Sequence, residues 1–277
     1  MIVDAHVHVA SHDTDRYPLH PRRAGGSEWW RHPVSAQDLL VVMDDQQVDR
    51  AVLVHSLGAY SYDCTYTVEA ARANPDRLCA VVAVDMAGPD PAGALEVLVD
   101  PVVRGVRLLA IGPDHTRWFE DRRSHQVWRV AGEAGLSVIV VGREAELATF
   151  RPAIASDPRV VTVVDHCGLP ELEGGVIAAS SPLLGLADLP NVWVKVSTPI
   201  LLAAARQGSP AQLVEQLVER FGPTRVVWGS DFPQTVGLDY PGMLALAAEA
   251  TAGLSADDRE AVLAGNAISL WFTLGSG

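Results

Sequence analysis

Eight short runs rich in β-branched and apolar residues recur along the chain: IVDAHVHV, RAVLVH, LCAVVAVD, VVRGVRLL, LSVIVV, RVVTVVDH, NVWVKVS and RVVWGSD. Apolar positions at three- to four-residue spacing predict helices over 35–48, 60–74, 90–99, 120–134, 144–155, 209–221 and 239–265. The runs are near-continuous rather than alternating, as in parallel strands covered by helices outside and packed against one another inside. Asn74-Pro75, Asp157-Pro158 and Gly222-Pro223 each stop a helix just before a strand. This alternation predicts an α/β fold, a (β/α)8 TIM barrel over 1–277 as a single domain. Residues 10–34 are too long and irregular for a simple barrel loop. Leaving the end of strand one, they are expected to lie over the active-site face, where Trp29 and Trp30 either cap a substrate or pack the loop onto the rim.

Composition narrows the function. Hydrophobic residues make up 48% and charged residues 20% of 277, with no low-complexity tract, so the chain reads as an ordinary globular protein. A net charge of -13 argues against nucleic acid or an anionic membrane as partner, and requires that an anionic small molecule meet a local cationic site. The chain opens without a secretory pattern and has no apolar run of membrane length, which gives a cytoplasmic location as the expectation. Cys64, Cys79 and Cys167, odd in number and far apart, read as reduced thiols.

Barrel enzymes carry their chemistry at the C-terminal ends of strands, so the polar residues that interrupt or end each run are the candidates. They are His6 and His8 on strand one, His55 and Ser56 on strand two, Asp85 on three and Arg107 on four. Asp165 and His166 follow on six, Lys195 and Ser197 on seven, Ser230 and Asp231 on eight. Residues two apart on a strand share a face, so His6 and His8 point together into the mouth as half a metal site or a donor pair. Asp231, on the strand that closes against strand one, either completes a metal site, acts as general base, or caps the following turn. His166 is placed to orient or deprotonate water or to polarise a carbonyl. Arg107 and Lys195, inside apolar strands, either bind a substrate carboxylate or form internal salt bridges to Asp4, Asp85 or Asp165. Ser56, Tyr60 and Tyr62 are loop-borne candidates for substrate contact.

The pieces DAHVH, GVRLL, VVDHCGLP, NVWVKVS, VVWGSDFP and LAGNAISLW resemble, in order, the amidohydrolase superfamily. The resemblance is to the amidohydrolase-related (amidohydrolase 2) branch, which holds sugar-acid and dicarboxylate lactonases and nonoxidative decarboxylases. It implies a distorted TIM barrel with hydrolytic chemistry at the strand ends. The family's metal set is the HxH pair, a histidine from strand five and the strand-eight aspartate. His6, His8 and Asp231 match, while GLSVIVVGREAEL on strand five offers no histidine. His166 and, more remotely, His115 are the substitutes, and the lactonase side of the branch similarly lacks that ligand. The expected activity is therefore hydrolysis of a small carboxylated or hydroxylated cyclic ester. Asp231 would be the base on water, and His6, His8 and His166 would polarise the carbonyl directly or through a weakly held zinc or manganese. Arg107 and Lys195 would hold substrate oxygens. The alternatives are a metal-dependent nonoxidative decarboxylase and a non-catalytic ligand-binding barrel. A homodimer is the family-level expectation.

Overall fold

A computed structural model describes residues 1–20, 27–111, 118 and 122–273. Eight parallel strands form one sheet in sequence order: β1 Val3–Val7, β2 Arg50–Val54, β3 Leu78–Ala83, β4 Val103–Ala110, β5 Ser137–Gly142, β6 Thr162–Val164, β7 Val192–Ser197 and β8 Val226–Gly229. The sheet closes on itself just past β8, where the His8 amide donates to the Phe232 carbonyl at 2.7 Å and the Asp231 amide to the His6 carbonyl at 2.8 Å. Each of the eight predicted runs is thus a barrel strand.

The outer helices include α1 Ala36–Asp45, α2 Leu57–Tyr60, α3 Thr65–Ala73, α4 Pro91–Leu98, α5 Arg122–Glu133 and α6 Glu144–Ser156. They continue with α7 Pro182–Leu186, α8 Thr198–Gln207, α9 Pro210–Phe221, α10 Tyr240–Ala250, α11 Ala256–Glu260 and α12 Asn266–Trp271. A π turn over Ala261–Gly265 joins the last two, so the predicted helix over 239–265 is a broken series. Helix α8 has no counterpart among the predicted helices. Pro199 reads as a breaker in sequence but sits in the first turn, where its missing N–H leaves no bond unmade. Loop 170–188 contains a short antiparallel hairpin, Leu172–Glu173 with Val176–Ile177.

Two apolar layers hold the barrel. The larger lies between strands and helices, and the smaller fills the interior with Val3, Ala5, Val52, Val54, Cys79, Val81, Ile139, Val163, Val227 and, from the C-terminal segment, Ala264, Ala267 and Trp271. All three cysteines are free and buried, and burial pushes the Cys64 thiol up to about 12. They belong to the packing rather than to the chemistry.

Candidate active site

The opening strand aims its histidines through a bulge. Asp4 pairs with Ala51 and Val7 with Leu53, so β1 carries one residue more than β2 across that interval. Ala5 faces the interior core and Val7 the outer layer, and the extra residue lets both His6 and His8 face the mouth. The two-residue spacing does put them together, but in a frame that the pleat alone would have reversed. Asp4 pins the bulge. Its Oδ1 accepts from the amides of His6 (3.0 Å) and Ser230 (2.8 Å), and its Oδ2 from the Tyr240 hydroxyl (3.1 Å). Burial pushes the Asp4 carboxyl up to about 6, against the pull of those donors. Gly229 completes the junction, because a Cβ there would come within 2.6 Å of the His6 Cβ.

Two further segments use left-handed backbone. After β6 the residues His166, Cys167, Gly168 and Leu169 take φ of 51°, 52°, 70° and 49°. Each non-glycine there costs about 1–2 kcal/mol. The turn sends the consecutive side chains of Asp165 and His166 both inward. Asp231 likewise sits at φ 62° just beyond β8. Strained backbone under two of the candidate groups is the pattern of a working site rather than of a packed core.

The side chains converge tightly. His6 Nε2 and His8 Nε2 are 3.2 Å apart, and Asp231 Oδ1 lies 3.5 Å from the first and 3.4 Å from the second. His8 Nδ1 donates to the Val54 carbonyl at 2.7 Å, and the tautomer with its proton there turns an Nε2 lone pair inward. His6 Nδ1 faces Asp165 Oδ1 at 3.4 Å, which favours the proton on that nitrogen and again a lone pair on Nε2. Burial lowers the His6 pKa well below the ordinary value and keeps the ring neutral. Burial also acts to raise Asp231, but the contact with His8 and the neighbouring His166 and His6 outweigh it and hold the carboxyl ionised. Its Oδ2 accepts from the Thr235 hydroxyl at 2.9 Å, while Oδ1 has no hydrogen-bond partner.

Two lone pairs and a carboxylate oxygen therefore point at one another and require a cation between them, either a proton or a metal ion. Tetrahedral bonds of about 2.0–2.1 Å separate ligand atoms by roughly 3.3 Å, which matches the observed triangle. Three protein donors with an open fourth position form a catalytic type of zinc set, so the residues fit a divalent ion without a strand-five histidine. Val141 and Arg143 face the cavity there instead, and His115 lies outside the described residues. His6, Asp165 and His166 form a second possible ligand trio. Its carboxylate is already engaged by cations: Asp165 Oδ2 accepts from Arg107 Nε at 2.9 Å, and Oδ1 lies 2.9 Å from Lys195 Nζ. His166 Nδ1 meets the Ser197 hydroxyl at 2.7 Å, and its Nε2 meets Arg107 Nη2 at 3.3 Å. Because a guanidinium only donates, His166 Nε2 is the acceptor and its proton is on Nδ1. Hydrogen-bond donation to a carbonyl, expected of His6, His8 and His166, is thus not what these tautomers offer.

A cavity of roughly 340 Å³ opens over this floor, within the size range of a small-ligand site. His8, His166, Asp231, Arg107, Ser56 and Arg143 supply its polar wall, and Leu57, Leu109, Ile111, Leu169 and Pro199 its apolar one. Several candidates lie elsewhere. Lys195 is 0% exposed and does not line the cavity; its charge is spent on Asp165, the internal salt bridge that competed with a substrate role. Arg107 shares that bridge but still reaches the cavity. Tyr60 is buried with its hydroxyl accepting from the Ser11 amide at 2.7 Å, and Tyr62 lines a separate surface groove with Asp63, Glu69 and Arg72. Trp29 stacks on the His8 ring at 6.3 Å, and Trp30 backs Gly58 in the cavity wall, so both pack the rim. Arg143 escaped the sequence reading because a loop arginine carries no pattern. Its guanidinium has no ion pair among the described residues.

His55 ends β2 but serves the scaffold. Its Nε2 donates to the Ser61 carbonyl at 2.8 Å and its Nδ1 accepts from Thr67 at 3.1 Å, and burial pushes its pKa down to about 4. The unfolded chain binds a proton here near pH 6.5 while the folded chain resists until about 4, so this group removes stability as pH falls through that window, by about 3 kcal/mol in all. His55→Gln keeps a donor to Ser61 and cannot titrate. Denaturant melts at pH 7, 5.5 and 4 are expected to show the variant losing less stability than wild type on acidification.

An eight-stranded parallel barrel with a His-His-Asp cluster and a cavity at the C-terminal ends of its strands has the architecture of a TIM-barrel enzyme. The amidohydrolase family model matches residues 3–273, and the chain belongs to that family. It is 27% identical over 246 residues to a 2-pyrone-4,6-dicarboxylate hydrolase of Comamonas testosteroni, covering 83% of this chain and 76% of that one. It is 29% identical over 207 residues to an L-fucono-1,5-lactonase of Burkholderia ambifaria, covering 71% and 69%. Among solved structures, a Burkholderia multivorans amidohydrolase with bound zinc superimposes at TM-score 0.77, with 19% identity over 99% of this chain and 100% of that one.

Proposed function

We infer that this chain is a lactone hydrolase that opens a small, carboxylated cyclic ester by attack of water on the ring carbonyl. The observation that carries this is the free Oδ1 of ionised Asp231, which faces the two imidazole lone pairs at the cavity floor. The named activities of the two curated relatives, both lactone hydrolases, support it.

His6, His8 and Asp231 would hold a divalent ion, which when bound acidifies a water and polarises a carbonyl oxygen. Asp231 Oδ1 takes the proton from the attacking water and returns it to the ring oxygen as the acyl–oxygen bond breaks. Thr235 keeps the carboxylate turned so that Oδ1, not Oδ2, meets the water. Arg107, with Nε on Asp165 and Nη2 on His166, presents a fixed positive fork to the oxyanion that forms on the carbonyl. His166 positions that fork, and Ser197 positions His166. Leu57, Leu109, Ile111 and Leu169 cover the apolar ring face. A decarboxylase would need its metal held more firmly, and strand five supplies no fourth donor.

Among the described residues that line the cavity, Arg143 is the cation left to meet a substrate carboxylate, since Lys195 is buried and Arg107 is shared. Arg143→Gln is expected to raise KM for a carboxylated lactone about 10–100-fold with little change in kcat, and to leave a neutral lactone unaffected. Steady-state kinetics on such a pair check this. The activity itself is tested by pH-stat titration with 2-pyrone-4,6-dicarboxylate, L-fucono-1,5-lactone and related lactones. Catalysed release of one proton per ring opened is the expected result, and folded protein that opens none of them overturns the reading.

A further inference from the structure

The C-terminal motif LAGNAISLW has no part in the chemistry above, yet its last residue reaches the barrel interior. Asn266 Nδ2 donates to the carbonyls of Pro223 and Val226, each at 2.7 Å, and so ties α12 to the start of β8. Trp271 is 0% exposed and closes the barrel floor, its indole N–H donating to the Ser137 hydroxyl at 3.0 Å. The ring lies under Lys195, with the ammonium 5.3 Å from its centroid. Lys195 Nζ in turn sits 2.9 Å from Asp165 Oδ1, but off the direction of a hydrogen bond, and none of its protons has an acceptor among the described residues. A buried ammonium with no directed hydrogen bond owes its place to the two groups that bracket it, the indole face below and the carboxylate above. The same Asp165 Oδ1 faces His6 Nδ1 at 3.4 Å.

We propose that Trp271 is a remote positioning residue for the site. By holding the Lys195 ammonium against Asp165 it fixes that carboxylate beside His6 Nδ1, and so fixes which His6 nitrogen carries the proton and which presents a lone pair to Asp231 and His8. The signal runs from floor to mouth through four side chains, Trp271, Lys195, Asp165 and His6. None of the first three lines the cavity.

The test compares Trp271→Phe, which keeps a ring face, with Trp271→Leu, which keeps only bulk. Its main readout needs no substrate: the imidazole 15N shifts of His6 in protein stripped of divalent metal, assigned by their loss in His6→Gln, with His55 as internal control. Wild type and Trp271→Phe are expected to show His6 protonated on Nδ1. Trp271→Leu and Lys195→Met should each move His6 toward a tautomer mixture while His55 stays unchanged, and the two together should shift it no further. The kinetic arm rests on the hydrolase reading. There kcat should fall about 10-fold or more in Trp271→Leu at constant KM and recover in Trp271→Phe. A folded Trp271→Leu with wild-type His6 nitrogens, or a Trp271→Phe as impaired as Trp271→Leu, overturns the proposal. If Trp271→Leu does not fold, Trp271→Met replaces it, since it also removes the ring face but fills more of the space. A shift of His6 in the same direction supports the proposal, and no shift overturns it. Loss of lactone hydrolysis as the protein's activity would leave the 15N outcome standing.

Discussion

Asp231→Asn is expected to lower kcat for lactone opening by about a thousandfold or more while the protein stays folded. The substitution separates chemistry from structure. Asparagine tolerates the left-handed backbone that Asp231 adopts at φ 62°, and its amide oxygen can still accept from Thr235. What it loses is the negative Oδ1, the carboxylate oxygen that faces the two imidazole lone pairs and takes the proton from water in the proposed reaction. Stopped-assay kinetics with circular dichroism on the same preparation check both halves. Any divalent ion held by the cluster, measured by elemental analysis, should fall in the same variant, because the carboxylate would be one of its three donors. Near-normal hydrolysis by Asp231→Asn would remove it as the base.

The second large effect is on stability. Asp165 is fully buried between Arg107 and Lys195, and although burial acts to raise its carboxyl, those cations hold it well below the usual range. Asp165→Asn strands two buried positive charges and is expected to cost about 3–5 kcal/mol, on the order of 10 °C in Tm for a chain of this size. Adding Lys195→Met removes one stranded charge and should restore part of the loss, whereas independent effects would add. Thermal melts of the two single variants and the double variant measure this. A single Asp165→Asn that melts within a degree or two of wild type would mean that the three charges are not coupled as drawn.

Much of this was legible in the sequence because the barrel repeats one physical signal. Each strand is buried on both faces, so each appears as a β-branched run, and every run but the fifth carries a polar residue at or near its mouth end. His6, His8, His166 and Asp231 do meet, as their strand-end positions implied. Other features depend on contacts that no local pattern encodes. The bulge at Asp4–Val7 shifts the frame of β1, and only the Gly229 contact and the Asp4 hydrogen bonds reveal why it is there. His55 occupies the same kind of strand-end position as His166 but turns to hold the Ser61 carbonyl. Lys195 reads as a candidate ligand for substrate, and only its distance to Asp165 shows that its charge is already used. Arg143, in contrast, sits on a loop whose sequence says nothing, and becomes visible only as part of the cavity wall.

The central claim is that water, activated at Asp231, attacks the acyl carbon of a cyclic ester. Ring opening in 18O-labelled water measures this directly. The account predicts one 18O atom per turnover in the newly formed carboxylate and an unlabelled hydroxyl from the former ring oxygen. Label in the hydroxyl instead, or release of carbon dioxide without ring opening, would contradict it.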